Sequence, residues 1–250
     1  MTENPFTDKV ALVTGGAHRV GAAIARTLHA AGMRLVVHHH ASEAAARALQ
    51  QELHATRPDS VMLVQGDLLN GERLFRNLVY ETVERFGRLD ALINNAARFY
   101  STPVSEATGT QWSDLIDLNL KAPFFLAQAA APQLKKTSGT IVNITDIYGE
   151  RPLPDYSIYS VSKAGLVMLT KSLARELGPE VRVNAVAPGA VMWPEAGIDE
   201  MSKQRLVSRT PLKRIGDADD VGRAVLFLVR DATYITGQVI AVDGGRMVVG

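Results

Sequence analysis

The sequence predicts an α/β fold in three layers, with a doubly wound parallel sheet and helices on both of its faces. Two observations predict it. Short apolar runs alternate with helically spaced segments along the chain, and small or polar residues follow most of those runs. This alternation is typical of parallel strands joined by helical crossovers. We therefore expect about seven strands in a Rossmann-like sheet, within a single domain that spans residues 1–250.

The first half of the chain contains four of the predicted strands and three helices. The strands are apolar runs at residues 9–14, 34–38, 61–65 and 91–93, short enough to be buried parallel strands. The helices are predicted at residues 20–31, 43–54 and 73–86. In the first helix Val20, Ile24 and Leu28 share one face, and Gly32 ends the pattern.

The second half continues the alternation. Strands are predicted at residues 140–144, 182–186 and 238–242, where β-branched and small apolar residues cluster. Helices are predicted at residues 111–135, around Tyr159 as far as Leu177, and at 199–208 and 218–229. Ligands of such sheets bind beyond the carboxyl ends of the strands. Polar or turn residues follow most strands and form one expected site: Thr14, His38, Asp67, Asn95, Asp146, Pro188 and Gly189.

Composition excludes several classes of protein. Of 250 residues, 46% are hydrophobic and 21% charged, and the net charge of +1 is dispersed, which argues against nucleic-acid binding. The absence of cysteine excludes disulfides, thiolate metal sites and a thiol nucleophile. The N-terminal segment lacks the apolar core of a signal, and no run approaches the ~20 residues that span a bilayer. We expect a soluble, cytoplasmic protein without a membrane partner.

The segment from residue 141 to residue 163 contains three groups that can move or orient protons: Asp146, Tyr159 and Lys163. Tyr159 and Lys163 are four residues apart, so a helix places them on one face. A cation there is expected to lower the pKa of the tyrosine from about 10 towards working pH, as acid–base catalysis requires. The pair alone is a weak motif, but here it follows a buried strand, an acid and a loop.

A glycine-containing loop, Thr14-Gly15-Gly16-Ala17-His18-Arg19-Val20-Gly21, joins the first strand to the first helix. Glycines there allow the backbone to approach a pyrophosphate, which a helix N-terminus favours electrostatically. The alternative is a simple tight turn. Arg19 stands where a middle glycine is common, and its guanidinium can bind a phosphate or a ring oxygen of a ligand.

The segment His38-His39-His40-Ala41-Ser42 follows the second strand, where the adenosine ribose of a dinucleotide is recognised. An acid at this point favours NAD, whereas imidazoles and a hydroxyl favour the 2′-phosphate of NADP. A metal-binding cluster is the alternative, but successive strand residues point to opposite faces. We predict no metal site. Asp67 is either a carboxylate near the adenine or a helix cap, and Asn119, an amide within a helix, needs a partner.

The motifs Thr14-Gly15…Gly21, Asn94-Asn95-Ala96, Asn119, Tyr159-x-x-x-Lys163, Pro188-Gly189 and Val242-Asp243-Gly244-Gly245 together resemble the short-chain dehydrogenase/reductase family. The resemblance covers nearly the whole chain. It implies a cofactor site that also includes Leu68 and Ala96, with the nicotinamide ribose held by Tyr159 and Lys163. It implies catalytic roles for Asn119, Tyr159 and Lys163. The usual catalytic serine of the family would stand where this chain has Asp146.

Four features resemble the pteridine reductases within that family: Asp146, Arg19, the His38-x-His40-x-Ser42 element and Phe99-Tyr100. The resemblance implies that Phe99 stacks on the pterin and that Asp146 joins Tyr159 in proton delivery. It also implies substrate contacts from Arg19 and Trp193, a substrate-covering segment at about 190–210, and a homotetramer. The chain departs from the group at Ala41, where an arginine is frequent.

The predicted function is therefore the NADPH-dependent reduction of a pterin. The substrate is expected to be a dihydropterin, a biopterin or a compound of the dihydrofolate type. A carboxylate at position 146 would repel the alkoxide that forms when a ketone is reduced, whereas it suits the N–H groups of a pterin. Two alternatives remain open. One is a carbonyl reductase of the 3-oxoacyl-thioester or alcohol/steroid type, and the other is an NADP-binding sensor without turnover.

Overall fold

The strands of the protein form one parallel sheet. The computed structural model describes residues 6–192 and 199–249, and within them seven strands pair. Their bounds are β1 Val10–Val13, β2 Arg34–His39, β3 Val61–Gln65, β4 Ala91–Asn94, β5 Thr140–Ile144, β6 Arg182–Pro188 and β7 Val239–Val242. The order across the sheet is β3-β2-β1-β4-β5-β6-β7, so the chain reverses its direction of progress between β1 and β4. Crevices at such a reversal are where α/β sheets bind ligands.

Helices cover both faces of this sheet. Their bounds are α1 Arg19–Ala30, α2 Glu43–Thr56, α3 Glu72–Phe86, α4 Gly109–Ile116, α5 Ala122–Thr137, α6 Ser157–Leu177, α7 Glu200–Ser208 and α8 Ala218–Arg230. One core joins the sheet to α1, α2 and α8, and includes Leu28, Leu49 and Val225. The other joins it to α3, α5 and α6, and includes Leu78, Leu126 and Leu173. The three-layer prediction is confirmed.

One predicted element differs from the structure. The segment 111–135 is not one regular helix, because a π-helical turn, Asp117–Lys121, separates α4 from α5. Asn119 lies in this turn, where its Oδ1 accepts from the Arg98 N–H at 2.9 Å and its Nδ2 donates to the Arg98 carbonyl at 3.0 Å. A π-helical turn inserts an extra residue into a helix and often marks a functional site. Here it sets the Asn119 amide against the loop that follows β4.

The register of the central strands brings their carboxyl ends level. Val13 pairs with Ile93, and Asn94 pairs with Asn143. The loops after β1, β4 and β5 therefore emerge side by side at one edge of the sheet. Within the described ranges no helix has both the length and the apolar composition needed to cross a bilayer.

Candidate active site

The carboxyl group of Asp146 and the hydroxyl of Tyr159 form a direct hydrogen bond. Asp146 follows β5, and its Oδ1 accepts from the Tyr148 N–H at 2.9 Å, which fixes the side chain as the cap of a short 3₁₀ turn. Its Oδ2 accepts from the Tyr159 hydroxyl at 2.7 Å. Tyr159 lies in the first turn of α6 and is only 4% exposed. The structure thus brings together two of the predicted proton-transfer groups.

Burial dominates the acid–base behaviour of this pair. It raises the pKa of Asp146, although the Tyr148 N–H, the Tyr159 hydroxyl and the charges of Lys163 and Arg246 oppose it. Burial also raises the pKa of Tyr159 well above its ordinary value, and the Asp146 charge raises it further. The predicted lowering of the tyrosine pKa by Lys163 is therefore wrong, because burial and Asp146 act in the opposite direction. Because ionised Tyr159 would face a carboxylate, the phenol remains protonated at neutral pH.

Lys163 lies one helical turn beyond Tyr159, as predicted. Its ammonium donates to the Ile144 carbonyl at 2.9 Å and lies 5.8 Å from the centre of the Tyr159 ring. Burial lowers the pKa of Lys163 to about 8. A group that titrates near neutral pH can carry or release a proton beside the tyrosine.

Asn119 acts on this site through a residue that the sequence analysis missed. Its Nδ2 donates to Ser162 Oγ at 3.0 Å, and Ser162 in turn donates to the Tyr159 carbonyl at 2.7 Å. The Asn119 amide therefore uses its oxygen to accept from the Arg98 N–H and its nitrogen to donate to the Arg98 carbonyl and to Ser162. Asn119 therefore positions α6 against the loop after β4. Two features of the sequence indicate Ser162: it directly precedes Lys163, and it lies on the face of the helix that the apolar pattern predicts to be buried.

The glycine loop is tightly held. Asn95 Nδ2 donates to the carbonyls of Thr14 and Gly15 at 2.9 and 3.0 Å, and Thr14 Oγ1 accepts from the N–H groups of Asn95 and Ala96. A Cβ on Gly21 would lie 2.2 Å from the Gly15 carbonyl oxygen, so only glycine fits there. Thr14 is buried, and its hydrogen bonds to Asn95 and Ala96 fix the start of this loop against the loop that follows β4.

A cavity of about 440 Å³ lies over this loop and the N-terminus of α1. It is lined by most of the predicted cofactor contacts: Gly15, Arg19, Val20, Gly21, His38, His40, Ser42, Asp67, Leu68, Asn95 and Ala96. The glycine backbone allows a ligand to approach closely, and the helix N-terminus and the basic side chains favour negative charge. These features fit an extended, anionic dinucleotide. Pro188 and Gly189 do not line it. Pro188 is the last residue of β6, and the N–H of the next residue, Gly189, donates to the Val242 carbonyl at 3.0 Å.

His38 has a different role from the one predicted. Its Nδ1 accepts from the Gly15 N–H at 3.3 Å, and its Nε2 donates to the Gly66 carbonyl at 3.0 Å, so the ring is neutral with its proton on Nε2. Burial lowers the pKa of His38 to about 4. Both ring nitrogens are therefore engaged within the protein, and His38 ties the glycine loop to the loop after β3. It offers no spare donor to a phosphate.

His39, His40 and Ser42 are the other polar residues of this segment that line the cavity, and His39 is buried. The His40 ring is about half exposed, and its Nε2 lies 3.8 Å from an Asp67 oxygen. Asp67 also accepts from the Leu69 N–H at 3.0 Å, so it caps a short turn, which is one of its two predicted roles. A 2′-phosphate would meet an exposed imidazole and a hydroxyl here. Among the described residues, no group of three or more His, Asp or Glu side chains is arranged to hold a metal ion.

The aromatic residue predicted to face the substrate is next to Tyr159. Phe99 is 54% exposed, and its ring packs edge-on against Tyr159 at 4.8 Å between centres. It also stacks on Tyr156, at 4.6 Å and with 18° between the rings. Tyr156, which the sequence analysis missed, stands three residues before Tyr159, and its stacked ring restricts the movement of the Phe99 ring. Trp193 lies outside the described residues, as does part of the predicted covering segment.

The fold and this site define an oxidoreductase, and the comparisons identify its family. The chain belongs to the short-chain dehydrogenase/reductase family: residues 15–246 match the family described as enoyl-(acyl carrier protein) reductase. A 3-oxoacyl-(acyl-carrier-protein) reductase of Staphylococcus epidermidis is 37% identical over 243 residues, covering 95% of this chain and 98% of the relative.

Two further relatives have the same name. The protein of Staphylococcus aureus is 38% identical over 242 residues, covering 95% of this chain and 97% of the relative. That of Synechocystis is 36% identical over 246 residues, covering 97% and 98%. The predicted family is confirmed. The names of these relatives agree with the carbonyl-reductase alternative better than with pterin reduction.

Proposed function

We propose that the protein reduces a pterin ring with NADPH. The observation that carries the proposal is the bond of 2.7 Å from the Tyr159 hydroxyl to Asp146 Oδ2. By resemblance, a hydroxyl stands at position 146 in the carbonyl reductases of the family. Here the only hydroxyl proton of Tyr159 is directed at a carboxyl group instead.

This arrangement disfavours a ketone as substrate. Reduction of a ketone builds negative charge on its oxygen, and the site must stabilise that charge with donors. Asp146 in its ionised form repels the developing charge. It also competes for the Tyr159 proton, because a charge-assisted bond from a hydroxyl is stronger than one to a neutral carbonyl.

A pterin suits the same groups. NADPH, when bound, supplies a hydride to a carbon of a C=N bond, and the electron pair of that bond then passes to the nitrogen, which needs one proton. The Tyr159 hydroxyl carries that proton in its bond to ionised Asp146, and the raised pKa of Asp146 favours passage of the proton through the carboxyl group to the substrate nitrogen. In this proposal Lys163, with a pKa of about 8, supplies the proton that replaces it. The balance is one hydride and one proton added across C=N.

Two further residues support a flat, polar substrate. Phe99 offers an exposed ring that Tyr156 holds in place, and stacking of this kind contributes roughly 1–3 kcal/mol for a nucleic-acid base. Arg19 adopts a φ of +49°, a conformation that non-glycine residues adopt at a cost. The presence of an arginine in this conformation supports a function for its guanidinium at the cavity that it lines.

The choice of NADPH rests on the end of β2. Residues 38–42 contain no acid, and His40 and Ser42 line the cavity. An acid at this point would repel the 2′-phosphate.

The helix α7, which has no buried residue, belongs to the proposed covering segment at about 190–210.

Reduction of a 3-oxoacyl thioester is the second candidate, because the relatives named above are 3-oxoacyl-(acyl-carrier-protein) reductases. In that case Asp146 would serve only as the cap of the Tyr148 N–H. Tyr159 would have to leave the carboxyl group and donate to the substrate carbonyl.

The substitution Asp146→Ser separates the two candidates. Serine retains a hydroxyl for a ketone oxygen but cannot deliver a carboxyl proton. For dihydrobiopterin we expect kcat to fall by about 10²- to 10⁴-fold, the usual size of general acid–base catalysis, with an unchanged KM for NADPH. For acetoacetyl thioester the serine variant should equal or exceed the parent. Steady-state rates with dihydrobiopterin, dihydrofolate and the thioester provide the measurement.

The matched control is Asp231→Ser, which removes an exposed carboxylate at the end of α8 and should leave all rates unchanged. A parent enzyme with a higher kcat/KM for the thioester than for any pterin would refute the proposal. So would a serine variant that reduces pterins as fast as the parent. A parent that oxidises NADPH with none of the substrates would favour the sensor alternative.

A further inference from the structure

Arg151 joins two turns that lie far apart in the sequence. One nitrogen of its guanidinium, Nη1, donates to the carbonyls of Arg246 and Val249, both at 2.8 Å. These carbonyls belong to the turn at residues 246–249, which we call the C-terminal turn. An arginine that binds two main-chain carbonyls is held by geometry as well as by charge.

The turn that contains Arg151 also contains Asp146. The Gly149 N–H donates to the Asp146 carbonyl at 2.9 Å, and the Arg151 N–H donates to the Ile147 carbonyl at 3.0 Å. Gly149 lies directly on α6, because a Cβ there would be 2.9 Å from the carbonyl carbon of Lys163. We call residues 146–151 the carboxyl turn. It is compact enough that a displacement at Arg151 reaches Asp146.

The C-terminal turn is itself fixed to other parts of the site. The Asp243 carboxylate accepts from the N–H groups of Gly245 and Met247, at 2.8 and 2.7 Å. The Leu212 N–H, shortly after α7, donates to the Gly244 carbonyl at 3.1 Å. The C-terminal turn therefore connects the chain that follows α7 to the carboxyl turn. Its Arg246 also stands near enough to act electrostatically on Asp146.

We propose that Arg151 is a positioning residue, which fastens the C-terminal turn to the carboxyl turn and thereby fixes the Asp146 carboxyl group against the Tyr159 hydroxyl. The same link keeps the Arg246 guanidinium close to that carboxyl group. The role holds for any substrate whose reduction uses Asp146 and Tyr159. It is therefore tested with whichever substrate the parent enzyme reduces, and its failure is distinct from failure of the pterin proposal.

The link can be broken from both of its ends. Arg151→Gln removes the charged donor, and deletion of residues 248–250 removes the Val249 carbonyl that accepts from it. Arg151→Lys retains a positive donor that can reach one carbonyl, so it should restore part of the loss. Arg76→Gln, at an exposed arginine on α3, is the matched control. Thermal melts with and without NADPH confirm that each variant folds and binds the cofactor.

We expect Arg151→Gln and the deletion each to lower kcat by about 10- to 100-fold, the size expected when a catalytic group moves by about 1 Å. The KM for NADPH should change by less than about two-fold, since the cofactor cavity is untouched. The double variant should be no slower than the slower single variant, because both changes break one link. Parental kcat in both single variants would overturn the proposal. Losses that multiply in the double variant would overturn it too.

A pH profile gives a readout that a loss of packing alone would not move. The polar groups that face Asp146 are Tyr148 from its own turn, Tyr159 and Lys163 from α6, and Arg246 from the C-terminal turn. Arg246 lowers the pKa of Asp146, so release of the C-terminal turn should shift the limb of the profile that reports Asp146 to higher pH. Arg246→Gln should produce the same shift. An unshifted limb in all three variants would contradict the role given to the link.

Discussion

Replacing Arg19 by glycine should separate the contribution of this residue to function from its contribution to stability. Arg19 has a φ of +49°, which costs an L-residue about 1–2 kcal/mol relative to glycine. Glycine also gains about 0.5–1 kcal/mol of conformational freedom in the unfolded chain. On backbone conformation alone, the difference favours Arg19→Gly by up to about 1.5 kcal/mol.

Ligand binding should change in the opposite direction. The side chain lines the proposed cofactor cavity, and a hydrogen bond to a charged group contributes about 1.5–3 kcal/mol. Loss of one such bond should weaken binding by about 10- to 150-fold, at 1.4 kcal/mol for each factor of ten. Urea unfolding measures the stability, and quenching of protein fluorescence by NADPH and by dihydrobiopterin measures the binding.

Arg76→Gly provides the comparison, because it places glycine inside an exposed helix and should cost about 1 kcal/mol of stability without affecting binding. Two results would refute the argument for Arg19. One is destabilisation of Arg19→Gly by more than about 1 kcal/mol, which would make the arginine a part of the fold. The other is unchanged affinity for both ligands.

Two further predictions concern the cofactor and the assembly. We expect NADPH to be preferred to NADH by at least about ten-fold in kcat/KM, worth about 1.4 kcal/mol, and Ala41→Arg to increase this preference; equal or better kinetics with NADH would contradict the assignment. By resemblance we expect a homotetramer, and Phe124, Val161 and Met168 are exposed apolar side chains on α5 and α6 that suit such contacts. Met168→Glu should then shift the sedimentation of the protein towards smaller species, whereas a parent that is monomeric at micromolar concentration would exclude the tetramer.

The strands were predictable because each is a short apolar run, which can be recognised without knowing the strands that pair with it. The predicted strand at residues 61–65 and the one at 140–144 have the same bounds in the structure. The interruption between α4 and α5 was not predicted, although the segment 111–135 contains signals against a regular helix. Pro123 has no N–H to donate to the Asn119 carbonyl, and the Asn119 amide needs partners. The sequence does not identify those partners, Arg98 and Ser162, because they lie 21 and 43 residues away.

The sequence predicted which residues several loops bring to the candidate site, but not the role of each residue there. Spacing alone placed Lys163 one turn beyond Tyr159, and the structure confirms that placement. The pKa of Tyr159 depends on the degree of burial and on a carboxylate thirteen residues earlier, which spacing does not report. His38 shows the same limit. Its role follows from two main-chain partners in separate loops, so an imidazole expected to meet a phosphate is instead part of the scaffold.

The names of the relatives and our proposal from position 146 point to different substrates, and this difference has a physical basis. Identity of 36–38% over nearly the whole chain shows a shared family and fold. A shared fold serves many acceptors, because the substrate is chosen by the site that the fold carries. The acceptor is selected by the few side chains that touch it, and ionised Asp146 would place a negative charge beside the oxygen of a carbonyl substrate. We therefore base the proposed substrate on the hydrogen bond between Asp146 and Tyr159 and not on the overall identity.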